Sequence, residues 1–512
     1  MSFSKVLSAT VFGLSVEFVH VEADVSNGLP VFQMVGYLSS EVKEASFRVR
    51  TAIANSGISL PPKKMVINLA PANVKKRGAI YDVAIAISLM CAMGYVEPKG
   101  IEGTIVIGEL GLDGRLQEVN GVLPILLEAK KEGITKCILP AANAKEAALV
   151  GGITILAMEN LVDIIGYLNG EIEANPYIES LESLILSCEP ENLPDFRDIR
   201  GQEGVKRAAE IAAAGAHNLL LVGPPGSGKS MLASRLPSIM PKLTLGESLE
   251  VTKVYSVMGL LRPDMPLITR PPYRNVHHTA TKVSLTGGGI LPHPGEISLA
   301  HKGILFLDEL AEFEKPVLEV LRQPLEEHEI HITRTFGSYT FPASFMLVAA
   351  MNPCPCGNFP DYDKCSCSQS RISQYLSRVS QAFLDRIDVC MEAPRITFTE
   401  LESGDCGESS AQIRERVVAA RKIQEKRFEG TNTSTNSAMT VKETEKYCAL
   451  EPETREMLKK AYQTMNLTAR TYHKILKVAR TIADLDNKET VLMKHVKEAL
   501  SYRTLDKKYW GR

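Results

Sequence analysis

The spacing of apolar positions divides the chain into regions with different predicted elements. Over residues 1–170, short apolar runs alternate with helical periodicity at 40–55 and 82–93, which predicts a mixed α/β domain. After Pro394 the apolar runs of strand length end. We therefore expect residues 396–512 to form a helical domain. Its predicted helices are 411–428, 453–465, 469–485 and 489–503.

The middle of the chain differs in composition from both ends. Residues 171–195 are acidic and contain three prolines, which is typical of a linker, here one with a single short helix. Residues 196–395 hold three strongly apolar runs, at 219–222, 304–307 and 347–351, each followed by a polar residue or a loop. Runs of this length are typical of buried parallel strands, so we expect an α/β core here.

The first of these runs leads into a loop with the pattern G-x-x-x-x-G-K-[ST]. Glycines let backbone N–H groups turn around phosphates, Lys229 offers a positive charge, and the Ser230 hydroxyl is a ligand for Mg²⁺. The order of strand, loop, Lys-Ser and helix makes a chance glycine turn a poor explanation. The loop therefore predicts a nucleoside triphosphate site. Its residues are Gly223, Pro224, Pro225, Gly226, Ser227, Gly228, Lys229 and Ser230.

The second run ends in Asp308 and Glu309, where a parallel sheet presents its carboxyl edge. We expect Asp308 to hold Mg²⁺ through water, and Glu309 to orient and deprotonate an attacking water. Two acids after a strand are commonly a solvated turn. The phosphate loop upstream favours the catalytic interpretation.

Four of the ten cysteines form two C-x-C pairs separated by eight residues. Four thiolates match the ligand set of a tetrahedral zinc ion, and a site filled by protein ligands is structural rather than catalytic. Because C-x-C pairs are less usual than C-x₂-C pairs, three interpretations stay open: structural zinc, reduced or redox-active thiols, and coincidence. The four residues are Cys354, Cys356, Cys365 and Cys367.

Composition and charge narrow the classes of partner. The chain has 512 residues, 45% of them hydrophobic and 23% charged, as in ordinary globular proteins. A formal net charge of −2 excludes a uniformly basic coat for nucleic acid, so DNA contacts have to be local. No apolar stretch reaches membrane-spanning length and the N-terminus lacks a signal-peptide pattern, which predicts a cytoplasmic protein without a membrane partner.

Loop-rich insertions lie before and after the apolar run that ends in Asp308 and Glu309. Neighbours on a strand point to opposite faces, so His277 and His278 are expected to have separate hydrogen-bonding roles rather than to share a metal. Residues 329–341 alternate like a hairpin, either an ordinary edge hairpin or one that faces the pore of a ring. In a pore, three side chains would grip a polynucleotide: Lys282, Arg334 and Tyr339.

Several long motifs together resemble those of the magnesium-chelatase-like AAA+ ATPases of the ComM/YifB type. They are the phosphate loop, His277-His278-Thr279, Gly287-Gly288-Gly289, residues 294–310 and residues 349–357, and the resemblance spans essentially the whole chain. It implies an AAA+ core with a helical lid, ATP and Mg²⁺ as cofactors, and a homo-hexamer that drives branch migration of DNA. A protein-remodelling unfoldase is the alternative, and metal chelation is not expected.

The resemblance also gives roles to three side chains. Asn352, at the end of the third run, lies at the sensor-1 position. Arg386 belongs to the arginine-finger stretch that a neighbouring protomer supplies, and Arg470 to the sensor-2 helix. A planar, permanently charged guanidinium suits charge that spreads over a transferred phosphoryl group. Outside this context, each arginine would be read as a surface salt bridge worth under about 1 kcal/mol.

Residues 1–170 are similar to the Lon protease domain, which implies an α+β fold. At the positions of the Lon serine and lysine this chain carries Ile80 and Leu123. An aliphatic side chain cannot act as nucleophile or base, so we expect a domain without peptidase activity that serves as a scaffold or guides DNA.

Overall fold

The computed structural model describes residues 3–188, 193–289, 292–334, 337–396, 398 and 407–510. The first nine strands lie before residue 160, and seven of them form one mixed sheet in the order β3-β4-β2-β1-β5-β8-β9. The pairs β1-β2 and β2-β4 are antiparallel, and the other neighbours are parallel. These strands are β1 Phe3–Phe12, β2 Ser15–Ser26, β3 Val31–Val35, β4 Lys64–Ala70, β5 Thr104–Val106, β6 Glu109–Leu110, β7 Leu116–Gln117, β8 Lys136–Pro140 and β9 Thr154–Met158.

Helices cover this sheet, and the predicted helices at 40–55 and 82–93 are confirmed. Residues 82–92 are all buried, because the helix Asp82–Met93 is apolar on every side and packs on β1 and β2. The helices of this region are Ser40–Asn55, Asp82–Met93, Val122–Lys131, Ala144–Ala148 and Leu161–Leu168, with 3₁₀ turns at Pro98–Ile101 and Ala141–Asn143.

The segment predicted as a linker contains a short helix, Leu181–Ser187. Ser180 caps it by accepting a hydrogen bond from the Ser183 backbone N–H. Leu184 and Cys188 are buried against the N-terminal sheet. The chain therefore stays attached to the first domain at least as far as residue 188.

The second large sheet has five parallel strands in the order β11-β14-β17-β10-β18. Two small antiparallel pairs, β12-β13 and β15-β16, lie beside it, and β15-β16 confirms the predicted hairpin. The strands are β10 Leu219–Val222, β11 Tyr273–Val276, β12 Gly287–Gly288, β13 His293–Pro294, β14 Ile304–Leu307, β15 Glu329–Arg334, β16 Gly337–Pro342, β17 Met346–Met351 and β18 Val389–Glu392.

Helices flank both faces of this sheet, and every residue of β10, β14 and β17 is buried between them. The helices are Glu203–Gly215, Lys229–Ile239, Leu245–Val257, Lys282–Thr286, Glu296–Leu299, Lys315–Glu319, Pro324–Glu327, Gln369–Leu376 and Gln381–Leu384, with 3₁₀ turns at Phe196–Asp198 and Leu310–Glu312.

The C-terminal region is helical, as predicted. Its last long helix begins at Met493 and not at residue 489, because Asn487 has a left-handed backbone (φ 51°) and the Glu489 carbonyl accepts a hydrogen bond from Arg480 (2.6 Å). The helices are Ser410–Arg427, Val441–Tyr447, Pro452–Thr464, Ala469–Leu485, Met493–Ser501 and Thr504–Trp510, with a 3₁₀ turn at Asn436–Ala438. None of the helices described here is both long and apolar enough to cross a bilayer.

Buried polar contacts join the N-terminal domain to the second sheet domain. Helix Leu245–Val257 packs against helix Val122–Lys131. At its end, the Ser256 carbonyl accepts from the Gly121 N–H (3.1 Å), and the Ser256 hydroxyl donates to Glu146 (2.5 Å). Since a buried carboxyl needs such partners, this contact fixes how the two domains dock.

Candidate active site

Three strands of the parallel sheet bring polar residues to one edge. β10 is paired with β17 through Val222 and Met351, and β17 is paired with β14 through Ala349 and Leu307. Because β17 lies between the other two strands, Asn352 lies between the loop that follows β10 and the acids that follow β14. This is the edge at which parallel α/β sheets bind their ligands.

The loop after β10 has the backbone of a phosphate cradle. Gly226 and Gly228 have left-handed backbones, with φ of 75° and 76°, and a Cβ at Gly226 would point into open space. A Cβ at Gly223 would lie 2.2 Å from the Ala393 carbonyl oxygen, so this position also requires glycine. The helix Lys229–Ile239 begins directly after the loop and presents its first backbone N–H groups there, as anion binding requires.

Lys229 is 9% exposed, and its ammonium group lies inside this cradle. Its Nζ donates to the carbonyl oxygens of Gly223 and Pro224, both at 2.8 Å, and to Asn352 Oδ1 at 3.3 Å. Burial lowers the pKa of Lys229, and the negative charge of Asp308 acts in the opposite direction. The structure thus brings together the lysine and the sensor asparagine that the sequence singles out.

Ser230 and Asp308 meet at the rim of the cradle. The Ser230 hydroxyl donates to Asp308 Oδ2 at 2.6 Å, and Asp308 Oδ1 accepts from the Glu309 backbone N–H at 2.9 Å. A hydroxyl and a carboxylate oxygen, adjacent and open to solvent, are the hard ligands that Mg²⁺ prefers. The residues present therefore fit a nucleoside triphosphate with its magnesium ion.

Glu309 has a left-handed backbone, with φ of 53°, and its side chain is 55% exposed. This conformation costs a non-glycine residue roughly 1–2 kcal/mol and is typical of functional sites. Its carboxylate oxygen lies 3.1 Å from Nδ1 of His278. The carboxylate is therefore held at the catalytic edge by a side chain from the next strand.

The His278 contact is the functional feature that sequence reasoning missed. The prediction that His277 and His278 point to opposite faces is wrong, because β11 ends at Val276 and the two rings lie 4.1 Å apart. Val276 is paired with Leu307, so His278 and Glu309 each follow a paired residue by two positions. Only the strand order reveals this relation, and the sequence does not state that order.

Arg386 and Arg470 meet at a different place. Both donate to Oε1 of Glu326, Arg386 at 2.8 Å and Arg470 at 3.0 Å. Arg386 is 7% exposed and also donates to the Arg322 carbonyl. Within this single chain, neither guanidinium contacts Lys229 or the acids.

The hairpin β15-β16 is only partly open to solvent. Arg334 and Lys282 are exposed, but Tyr339 is half-buried, and a Cβ at Gly13 of the N-terminal domain would lie 3.1 Å from its ring. A cavity of about 410 Å³ separates the two domains here, lined among others by Lys75 and Tyr339. Tyr339 therefore packs between the two domains.

The four cysteines converge in the loop after β17. Cys354 Sγ lies 3.3 Å from that of Cys356 and 3.8 Å from that of Cys365, and Cys356 lies 3.6 Å from Cys365. With Cys367 included, all four sulfurs lie within 4.8 Å of one another. Backbone hydrogen bonding from Asn358 lowers the pKa of Cys356 to about 6.

A five-stranded parallel sheet with a phosphate loop, a following acid pair and an intervening asparagine defines a P-loop ATPase of the AAA+ class. Comparison with models of protein families identifies the family within this class. "Magnesium chelatase, subunit ChlI" matches residues 195–401, "Subunit ChlI of Mg-chelatase" matches residues 21–143, and "Magnesium chelatase, subunit ChlI C-terminal" matches residues 407–503. The chain belongs to the magnesium-chelatase-like AAA+ family.

Two relatives are similar to this chain over nearly its whole length, and a third is similar over part of it. Competence protein ComM of Haemophilus influenzae is 41% identical over 508 residues, which cover 99% of this chain and 98% of the relative. An uncharacterized protein YifB of Salmonella typhimurium is 40% identical over 510 residues, with 99% and 98% covered. A peroxisomal Lon protease homologue of Oryza sativa is 28% identical over 174 residues, which cover 31% of this chain and 19% of the relative.

Proposed function

We propose that this chain is an ATP-hydrolysing ring motor that acts on DNA as a homo-hexamer, and that it drives branch migration in recombination or natural transformation. The observation that carries the proposal is the convergence of Lys229, Ser230, Asp308 and Asn352 at one sheet edge. Glu309 and His278 complete the edge. These are the groups that phosphoryl transfer requires for positioning and for charge stabilisation.

The cradle binds the nucleotide through charge and backbone. Mg²⁺, when bound, neutralises charge on the β- and γ-phosphates. Ser230 and Asp308 would hold it, since their oxygens are 2.6 Å apart and open to solvent. Lys229 exchanges its hydrogen bonds to the Gly223 and Pro224 carbonyls for phosphate oxygens, and its burial strengthens this attraction.

The acid pair divides the work between metal binding and proton transfer. The Glu309 carboxylate accepts the proton of the attacking water, while His278 holds that carboxylate in place at 3.1 Å. Asn352 contacts the Lys229 ammonium through Oδ1, and its amide N–H groups, which donate to none of the described residues, would orient the water. His278 is a positioning residue in this scheme, and Glu309 is the general base.

Two arginines have roles that depend on the assembly of a ring and on the helical lid. We infer that Arg386 of a neighbouring protomer stabilises charge on the transferred phosphoryl group, and that Arg470 does so from the helical lid. Within one chain both are paired with Glu326. Formation of the interface would therefore require Arg386 to exchange Glu326 for phosphate.

DNA is the polymer that the local charges favour. Lys282 and Arg334 are exposed on neighbouring insertions, and a Cβ at Gly288, between them, would lie 3.4 Å from Arg334 Nη2. A local basic patch attracts a phosphate backbone although the net charge is −2. The name of the Haemophilus influenzae relative, a competence protein, agrees with this partner.

The N-terminal domain serves as a scaffold in this proposal. Leu123, at the position of the Lon lysine, is fully buried, and its backbone N–H donates to Glu146 at 2.9 Å. Ile80 at the serine position offers no nucleophile. We infer that the domain does not hydrolyse peptides. Casein hydrolysis above a buffer blank, in the presence of inhibitors of contaminating proteases, would overturn this inference.

We place the protein in the cytoplasm. The described cysteines, including the buried Cys91 and Cys137, form no disulfide. Thiols persist in reducing compartments, whereas secreted proteins generally oxidise them to disulfides.

The test is the rate of ATP hydrolysis under four conditions: without a polymer, with single-stranded DNA, with a four-way DNA junction and with an unfolded protein. Glu309→Gln, which keeps the size of the side chain, should reduce turnover by at least about 10²-fold while nucleotide binding persists. Wild-type turnover should rise most with the junction, and the stimulation should fall steeply as salt increases, because phosphate contacts release counterions.

Two outcomes would contradict the proposal. Equal turnover in Glu309→Gln and wild type would remove the assigned base. Stimulation by unfolded protein with indifference to both DNAs would identify a protein-remodelling ATPase instead. Native mass spectrometry of the ATP-bound Glu309→Gln variant tests the hexamer separately from the polymer.

A further inference from the structure

The four-cysteine loop begins two residues after Asn352. Cys354 is fully buried, and the other three cysteines are half-buried. The Cys354 sulfur accepts a hydrogen bond from the Phe359 backbone N–H at 3.4 Å. Sulfur atoms from two short stretches of the chain therefore lie close together.

The spacing of the sulfurs is that of a tetrahedral metal site. A zinc ion about 2.3 Å from four sulfurs places neighbouring sulfurs about 3.8 Å apart. The separations among the sulfurs of Cys354, Cys356 and Cys365 are 3.3, 3.6 and 3.8 Å, and the Cys367 sulfur lies within 4.8 Å of them. The first three separations are too long for the S–S bond of about 2.05 Å in a disulfide. Four sulfur ligands without oxygen favour a soft or borderline cation over Mg²⁺ or Ca²⁺.

The same loop packs against the phosphate cradle. Gly357 has a left-handed backbone, with φ of 79°, and a Cβ on it would lie 2.3 Å from Cδ of Pro225. Asn358, the next residue, accepts a hydrogen bond from Arg395 at 2.8 Å. Close packing of the Gly357 backbone against the Pro225 ring therefore supports the nucleotide loop from the side of Asn352.

We propose that Cys354, Cys356, Cys365 and Cys367 bind one zinc ion, and that this ion holds Gly357 against Pro225, so that nucleotide affinity depends on zinc occupancy. Without the metal, no metal–sulfur bonds join the two cysteine pairs, and the segment between them no longer holds Gly357 firmly against Pro225. This inference rests on the cradle as a nucleotide site. It does not depend on DNA as the partner.

The metal is tested by elemental analysis of the full-length protein, purified under reducing conditions. Wild type should carry about one zinc per chain, and the double variant Cys365→Ser/Cys367→Ser should carry none. Lys364→Ala, an exposed change next to Cys365, is the matched control and should keep the zinc. Co²⁺ loaded in place of zinc should give the intense visible bands of a tetrahedral thiolate site. Folded, reduced wild-type protein that binds neither metal would overturn the proposal.

The link to the cradle is tested by the affinity for a fluorescent ATP analogue. The double variant should bind it about tenfold more weakly, within the usual range of coupling between two sites. Gly357→Ala should keep its zinc and still bind nucleotide more weakly, because the added methyl group displaces Pro225. Lys364→Ala should match wild type.

Chelation of wild type provides a second measure that does not require a variant to fold. Removal of the metal should weaken nucleotide binding, and added zinc should restore it. Unchanged affinity after complete zinc removal would overturn the link between the two sites. In contrast, loss of DNA stimulation with zinc and nucleotide binding intact would count only against the proposed motor function.

Discussion

Each of the two sheet domains buries a lysine next to a loop, Lys76 in the first and Lys229 in the second, yet only Lys229 belongs to the candidate site. Lys76 is fully buried, and its ammonium group donates to the Pro71 carbonyl oxygen. Lys229 is nearly as buried and likewise donates to carbonyl oxygens, those of Gly223 and Pro224. Burial lowers the pKa of both.

The difference lies in what surrounds each ammonium group. Asp308 faces Lys229 and opposes the effect of burial on its pKa, and Asn352 contacts it from a second strand. At Lys76 the hydrogen bonds run to its own neighbourhood, and burial alone accounts for its lowered pKa. A buried lysine thus marks a site only where independent elements bring further polar groups to it.

The largest effect should come from exchanging each lysine for methionine. Lys229→Met should reduce kcat/KM for ATP by at least about 10²-fold, because the phosphates lose their positive partner. Lys76→Met should leave kcat/KM within about twofold, since it removes one hydrogen bond worth about 1 kcal/mol in another domain. Steady-state ATPase assays of the two variants measure both values.

The matched pair separates site chemistry from burial. Both variants lose a buried ammonium group that donates to backbone carbonyl oxygens, so both should show a similar, modest decrease in thermal stability. An ATPase defect of Lys76→Met as large as that of Lys229→Met would contradict the comparison and place Lys76 in the catalytic path.

The second effect concerns the buried ion pairs of the two domains. Asp388, between the parallel sheet and the helical lid, pairs with Lys474 at 2.8 Å. Asp82 in the N-terminal domain pairs with Arg48 at 2.8 Å. Burial alone would raise the pKa of Asp388, but Lys474 and His217 bring it well below its usual value.

Asp388→Asn should lower the free energy of unfolding by roughly 3–5 kcal/mol, because the buried Lys474 is left without its partner. Asp82→Asn should lower it less, because the Arg48 side chain is 22% exposed and burial raises the pKa of Asp82 despite this partner. Only Asp388→Asn should also slow ATP hydrolysis in the folded protein, since Lys474 belongs to the lid helix Ala469–Leu485 that carries Arg470. Denaturant titration and ATPase rates at low temperature measure the two effects. Equal turnover in both variants would show that the lid is held by other contacts.

Sequence predicts those parts of the molecule that depend on local pattern. The helices Ser40–Asn55, Asp82–Met93 and Ala469–Leu485 begin and end where the apolar periodicity does. The meeting of Lys229 with Asn352 also follows from pattern, because strand ends share an edge in a parallel sheet.

Contacts that depend on strand order or on domain docking could not be predicted. His278 reaches Glu309 because β11 and β14 are neighbours in a fixed register. Tyr339 packs against Gly13 because two domains meet there. No local spacing encodes either relation, since the partners are remote in sequence and their side chains are compatible with several neighbours.

The smallest effect, and the sharpest test of burial in the ATPase domain, concerns His301 and its response to pH. This side chain is 4% exposed and lies just before β14. Its Nδ1 accepts from the Ser344 backbone N–H at 3.1 Å, so the neutral ring carries its proton on Nε2, which faces Glu250 at 3.3 Å. Burial lowers the pKa of His301 to about 4, although Glu250 acts in the opposite direction.

The sign of the pH effect follows from this lowered pKa. Between the unfolded value of about 6.5 and the folded value of about 4, the unfolded chain binds a proton that the folded chain does not. Stability therefore falls as pH falls through this window, by up to about 1.4 kcal/mol per pH unit from this group. His301→Gln should flatten the dependence of stability on pH. The control is His20→Gln: His20 lies in β2 and is only half-buried, so its substitution should change the dependence less. Denaturant midpoints at pH 7, 6 and 5 measure the slopes, and equal slopes in wild type and His301→Gln would show that His301 does not stay neutral on folding.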